Sequence, residues 1–280
     1  MIRDDDSRTT ACSLASERAG TSRQAIDAYK QRSAHKGCKV LFGPAPKKNP
    51  VLENIEIIKH IPHASTEFPP FFNRRSCKIS FGFNDFDKYL YKMADLFVDK
   101  LFQDIPGIEL KAKYSRLYCD VERFKDDDKE PMSKLGQGYI YQKGYDGKDF
   151  IRFKKFNDID IVDEINKYYE NHHKKLNNLT KQIINRGKDV LILDLHSFSD
   201  EQARYLGKEE PFPDICIGIV EPYFKQEILD LIIEKIKERG FSYQINYPYE
   251  GSIVPSDVLN GKIKGNIYSF MIEVNKRLYL

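Results

Sequence analysis

The sequence predicts an α/β domain. From Val51 onward, short apolar runs alternate with amphipathic stretches, the layout that builds a sheet covered by helices. The run VLILDLHSF (190–198) is continuously apolar before it delivers Asp, His and Ser at its carboxyl end, which is how a strand buried on both faces reads. A 41% hydrophobic share over 280 residues is enough material for a substantial core.

The elements follow in order. IEIIKHIPH (55–63) reads as a strand ending at a site loop. NDFDKYLYKMADLFVDKLFQDI (84–105) carries Phe86, Leu90, Met93, Phe97 and Leu101 at helical spacing and predicts one helix. KAKYSRLYCDVERF (111–124), with its tyrosines and β-branched residues, is a strand candidate. The Gly- and Asp-rich stretch between Lys125 and Asp149 predicts a surface excursion able to overhang a site. Ile159 to Arg186 predicts a long helix with capping Asp residues at its start and Gly187 as its stop. After VLILDLHSF, DICIGIV (214–220) predicts a strand, Tyr223 to Arg239 a helix closed by Gly240, and SYQINYP (242–248) and YSFMIEVN (268–275) two further strands.

Residues 1–47 are composed differently. They hold 5 of the 14 arginines and 7 of the 11 alanines, show one weak helical patch at Ala25 to Gln31, and run into the Pro-, Gly- and Lys-rich GPAPKKNP (43–50). They are expected to be a poorly ordered extension or added leader, with 48–280 as a single catalytic domain.

Composition also narrows the function classes. Lys and Arg total 45 against 42 Asp and Glu, a formal charge of +3 that gives no electrostatic case for a nucleic-acid partner, and no basic stripe interleaves with aromatics. No apolar stretch approaches the length of a membrane span, and MIRDDDSRTT lacks the apolar core of a signal peptide, so a cytoplasmic protein with no membrane partner is expected. Five scattered cysteines without a CxxC pair signal neither a disulfide framework nor a cysteine zinc site.

Polar residues gather where strands are expected to end: PHAS (62–65), DVER (120–123), DLHSF (194–198), NYPYEG (246–251) and IEVNK (272–276). Ligand sites of open α/β sheets form at those ends. His63 and His196 each follow an apolar run and precede a small residue, a placement that exposes a neutral imidazole able to bind Zn²⁺. The alternative is two unrelated histidines, one on a turn and one capping a strand. Glu273 ends the apolar run FMIEV, where an unpaired carboxylate is costly to bury; it is either functional or paired with Lys276 or Arg277. Arg116 and Arg123 carry planar forks suited to substrate carboxylates, or else pair with Asp120 or Glu122. His172 is expected to face solvent, since neighbouring helical positions point about 100° apart from His173. Gly251 permits a close backbone approach beside Asn246. Asp194, two residues before His196, shares its strand face.

IPHAS, DLFVDKLF, SRLYCDVERF, ENHHKKL, DLHSF, INYPYEG and IEVNKRLYL occur in the order and approximate spacing of the N-formylglutamate amidohydrolase family, which the chain resembles from about Ile57 to Leu280. The resemblance implies a central mixed sheet flanked by helices, similar to the zinc carboxypeptidases, with one Zn²⁺ per chain and hydrolysis of N-formyl-L-glutamate or another N-acyl amino acid. By the same resemblance His63 and His196 are metal ligands and Asp95 the third, with Glu67 its competitor because Thr66 stands where carboxypeptidases place a liganding Glu. It also implies that Glu273 is the general base and acid, that His173 hydrogen-bonds substrate or transition state, that Arg116 and Arg123 grip substrate carboxylates, and that Asn246 and Gly251 form a substrate loop. Family members often carry Asn where this chain has Glu122. A deacylase of the aspartoacylase kind and a metal-dependent binding protein without turnover are the alternatives.

Overall fold

A computed structural model describes residues 49–72, 77–79, 83–148, 151–153 and 160–280; the expected leader and its helical patch lie outside them. Val40–Leu278 form one compact unit, which holds the site. Six strands make a mixed sheet in the order β3-β1-β5-β8-β6-β7, with β1 Ile55–Ile61, β3 Ile108–Lys111, β5 Asp189–Phe198, β6 Ile215–Ile219, β7 Tyr243–Ile245 and β8 Ile267–Asn275. Only β6 against β8 is antiparallel. A separate antiparallel pair joins β2 Cys77–Ile79 to β4 Ile151–Phe153. With its flanking helices this is the α/β architecture the sequence predicts.

The long helix α3, Ile161–Asn185, begins where the Asp160 side chain accepts from the amides of Val162 and Asp163, and ends before Gly187, whose φ of +72° suits a helix stop. Its apolar stripe, Leu176 and Ile183, packs with Ile58, Val190, Ile192 and Ile267 of the central strands. None of the described helices is long and apolar enough to cross a membrane.

Three expectations need correction. The single helix over 84–105 is two, α1 Phe83–Met93 and α2 Val98–Leu101. The chain breaks because the Asp95 amide donates to the His63 carbonyl at 2.9 Å and Phe97 turns left-handed at φ 64°, which lifts Asp95 off the helix. The strand expected over 111–124 stops at Lys111. Beyond it Ser115 organises a turn, its carbonyl accepting from Tyr118 and Cys119 and its hydroxyl from Leu117, so local bonding displaces the ladder. His172 is buried at 5% exposure rather than solvent-facing, because its ring meets His60 of β1. The excursion after Lys125 holds only the short 3-10 turn Pro131–Leu135 and an isolated bridge from Gln137 to Tyr141 among its described residues. Cys119 and Cys216 are buried free thiols.

Candidate active site

Register brings the polar residues together. His60 of β1 lies opposite Asp194 of β5, and His196 of β5 lies opposite Glu273 of β8. Asp194 and His196 are two apart, so all four project from one face of the sheet. His63 follows two residues after β1, and the helix break sets Asp95 beside it. The site thus forms at the carboxyl ends of three adjacent parallel strands.

His63 Nδ1 and His196 Nδ1 are 3.3 Å apart, and Asp95 Oδ2 stands 3.2 Å from the His196 nitrogen and 3.6 Å from that of His63. Tetrahedral donors bonded at ~2.0–2.2 Å to Zn²⁺ lie roughly 3.3–3.6 Å from one another, so this triangle has the size such an ion requires. The other ring edges face carboxylates. His63 Nε2 donates to Asp120 Oδ1 at 2.8 Å, while His196 Nε2 has Asp194 Oδ1 and Glu122 Oε1 at 3.1 Å each. Such partners hold Nε2–H, so each ring turns its Nδ1 towards Asp95, and Nδ1 is the atom a metal would take in place of a proton. Glu122 also groups with both histidines, all three offering atoms within 4.8 Å, but it approaches the Nε2 edges already bonded to Asp120 and Asp194. Glu67 is exposed and does not line the cavity.

Four carboxylates around two imidazoles make a field suited to a cation. Burial opposes ionisation of Asp95, yet hydrogen bonds from His196 and His63 hold its carboxyl well below the usual range. Burial likewise opposes ionisation of Asp120, and His63, Arg116 and Arg123 overcome it. Asp120 is the residue that sequence reasoning undervalued: besides His63 it accepts from Arg116 Nη2 at 2.8 Å, Tyr141 Oη at 2.7 Å and the Glu122 amide. The clue was its place in DVER, between two arginines.

Glu273 behaves differently. Burial pushes its carboxyl up to about 7, against the pull of His196 and with Asp95 and Glu122 adding to the rise. Its Oε2 is buried without a hydrogen-bond partner among the described residues. The pairing partners considered for it are engaged elsewhere: Lys276 Nζ donates to the Ala94 carbonyl at 2.9 Å and lies 3.8 Å from Asp95, and Arg277 binds Asp200 and Asp214.

These groups floor a cavity of about 540 Å³ that His63, Asp95, Arg116, Glu122, Arg123, His196 and Glu273 share with apolar side chains. Arg116 is hydrogen-bonded to Asp120 through two nitrogens, whereas Arg123 Nε is buried without a hydrogen bond among the described residues and lies 3.7 Å from the same Asp120 oxygen. The excursion contributes Met132, Leu135 and Tyr141 to the wall beside Phe124, and the loop after β7 contributes Pro248, Tyr249 and Glu250. Asn246 and Gly251 do not line it. They shape that loop: Asn246, at φ 53°, accepts from the Ile219 amide, and the Gly251 carbonyl passes 2.0 Å from where a Cβ on Gly218 would stand, an approach only glycine at 218 permits.

His173 is not among the cavity-lining residues either; its Nε2 donates to the Val121 carbonyl at 2.8 Å and so anchors the DVER segment. Burial pushes its pKa down to about 4, below the ordinary value near 6.5. Between pH 6.5 and 4 the unfolded chain therefore takes up a proton that the folded chain refuses. Stability from this group is fully present above 6.5 and is lost as pH falls towards 4, by roughly 3 kcal/mol. His173→Gln keeps an N–H for Val121 without titrating, so its urea midpoint is expected to fall less than wild type between pH 7 and 4.5. Equal falls would contradict this assignment.

Comparisons with known proteins bear on the family and the fold. The family model for N-formylglutamate amidohydrolase matches residues 55–280. Among solved structures, the N-formylglutamate amidohydrolase of Ralstonia eutropha superposes with a TM-score of 0.62 at 23% identity over 85% of each chain. A gene product of Agrobacterium tumefaciens does so with a TM-score of 0.54 at 16% identity, over 81% of this chain and 82% of that one. A comparison with curated proteins returned no match. With a family model covering most of its length, this chain belongs to the N-formylglutamate amidohydrolase family.

Proposed function

We propose that the chain is a zinc-dependent amidohydrolase that cleaves N-formyl-L-glutamate, or a related N-acyl amino acid, into a carboxylate and a free amine. The observation that carries the reading is the convergence of three donor atoms of zinc-site spacing with an unpartnered buried carboxylate, Glu273, on the floor of one cavity. His63, Asp95 and His196 are the ligands in this reading, since binding through Nδ1 preserves the bonds from Nε2 to Asp120 and Asp194. Zinc held there would polarise the amide carbonyl and acidify water. Glu273 takes the proton of the attacking water and returns it to the departing amine nitrogen, the double duty of a general base and acid. Arg123 grips a substrate carboxylate, and Arg116 faces the same space while it holds Asp120. Asn246 and Gly251 serve by shaping the loop that carries Tyr249, and His173 by anchoring Val121.

A volume of about 540 Å³ lies in the range of sites for drug-sized ligands and leaves room for an acyl group larger than formyl. The test is mass-spectrometric screening of N-formyl, N-acetyl and N-succinyl amino acids with the zinc-loaded chain. Release of a free amino acid from at least one acidic substrate is expected. No cleavage of any of them would contradict the proposal.

A further inference from the structure

Two buried histidines stand outside the reaction just described. His60 is fully buried in β1 and His172 is 5% exposed on α3, and their Nε2 atoms are 2.9 Å apart. His60 Nδ1 lies 2.7 Å from Asp194 Oδ1, the same oxygen that His196 Nε2 meets at 3.1 Å. The other Asp194 oxygen accepts from the Ile253 amide at 3.1 Å. A continuous chain of contacts therefore runs His172–His60–Asp194–His196, from the long helix through two strands to the site.

We infer that His60 and His172 are positioning residues that set the ring orientation and tautomer of His196 through Asp194. The proposal rests on the reading of His196 as a metal ligand. Each contact has room for one proton. A carboxylate oxygen only accepts, so His60 Nδ1 carries hydrogen. In a neutral ring its Nε2 is then a bare lone pair, and the group facing it, His172 Nε2, must supply the N–H. The arrangement satisfies the His172–His60 and His60–Asp194 contacts with both of these rings neutral and places no charge on either beside the carboxylate of Asp194. Burial, which pushes His172 down to about 2, agrees with a neutral ring there. Without the His172 donor, the His60 lone pair is stranded in the core. Its cheapest relief is to swing the ring towards another donor, which strains the Nδ1–H bond to Asp194 and loosens the carboxylate that holds His196.

The experiment uses the full chain and two variants. His172→Gln keeps an N–H donor near the position of Nε2, and His172→Leu keeps bulk alone. Zinc affinity is read by competition with a chromophoric chelator. Loss of a residue supporting a ligand typically costs 10–100-fold in metal affinity, so His172→Leu is expected to weaken zinc binding by about that factor and His172→Gln to restore it to near wild type. Equal affinity in both variants, weakened or not, would overturn the proposal, because a packing role does not distinguish a donor from an apolar group. A second readout needs no variant to fold. Imidazole ¹⁵N shifts of the metal-free wild-type chain are expected to show His60 protonated at Nδ1 only and His172 at Nε2 only; the opposite tautomers, or a doubly protonated His60, would overturn it. Failure of the wild-type chain to bind zinc would instead overturn the metal reading beneath the proposal.

Discussion

Glu273→Gln is expected to lower turnover of N-formyl-L-glutamate by about 10²–10⁴-fold, the usual contribution of a positioned general acid–base group, with zinc content and melting temperature nearly unchanged. The substitution keeps size and hydrogen-bonding capacity and removes only the ability to take a proton, so no cavity opens. Structure sharpens the contrast with a structural role. Were Glu273 half of an ion pair, its neutralisation would cost stability, and activity would fall only in step with unfolded protein. Lys276 and Arg277 are occupied by Ala94, Asp200 and Asp214, and Glu273 Oε2 has no hydrogen-bond partner among the described residues, so no hydrogen bond at that oxygen is there to lose. Rate, zinc content and melting temperature measured together on this variant separate the two accounts, and wild-type turnover would end the catalytic assignment.

His63→Ala and His196→Ala are each expected to reduce bound zinc from about one ion per chain to near none by elemental analysis. A catalytic zinc site has three protein ligands, and loss of one imidazole leaves too few to retain the ion through dialysis. Asp95→Ala should behave the same way. Glu67→Ala should retain full zinc, because Glu67 is exposed and lies outside the cavity lining. Undiminished zinc in both histidine variants would remove the metal assignment, and loss in Glu67→Ala with retention in Asp95→Ala would reverse the choice of third ligand.

Much of this was legible because the signals were local. The apolar run of β5 announces a buried strand, and the two-residue spacing in DLHSF places Asp194 and His196 on one face. The Asp160 cap and Gly187 mark the ends of α3 by chemistry that acts within a turn. What stayed hidden depends on distant partners. Helical periodicity runs straight through Asp95, and only the His63 carbonyl, 32 residues earlier in the chain, breaks the helix there. Nothing near His172 in sequence reveals that His60 waits on a strand 112 residues away. Arg116 and Arg123 look alike as free forks, and it takes the fold to show Arg116 hydrogen-bonded through two nitrogens to Asp120 and Arg123 Nε at the longer 3.7 Å from the same carboxylate.

The most direct measurement is formate release from N-formyl-L-glutamate as Zn²⁺ is titrated into the chelator-stripped full chain. The account predicts negligible release without metal, a linear rise on addition, and a break at about one ion per chain, the stoichiometry of a single three-ligand site. Full activity in the stripped chain, or no cleavage of N-formyl-L-glutamate or of any other N-acyl amino acid in the panel at any zinc level by a folded chain, would contradict it.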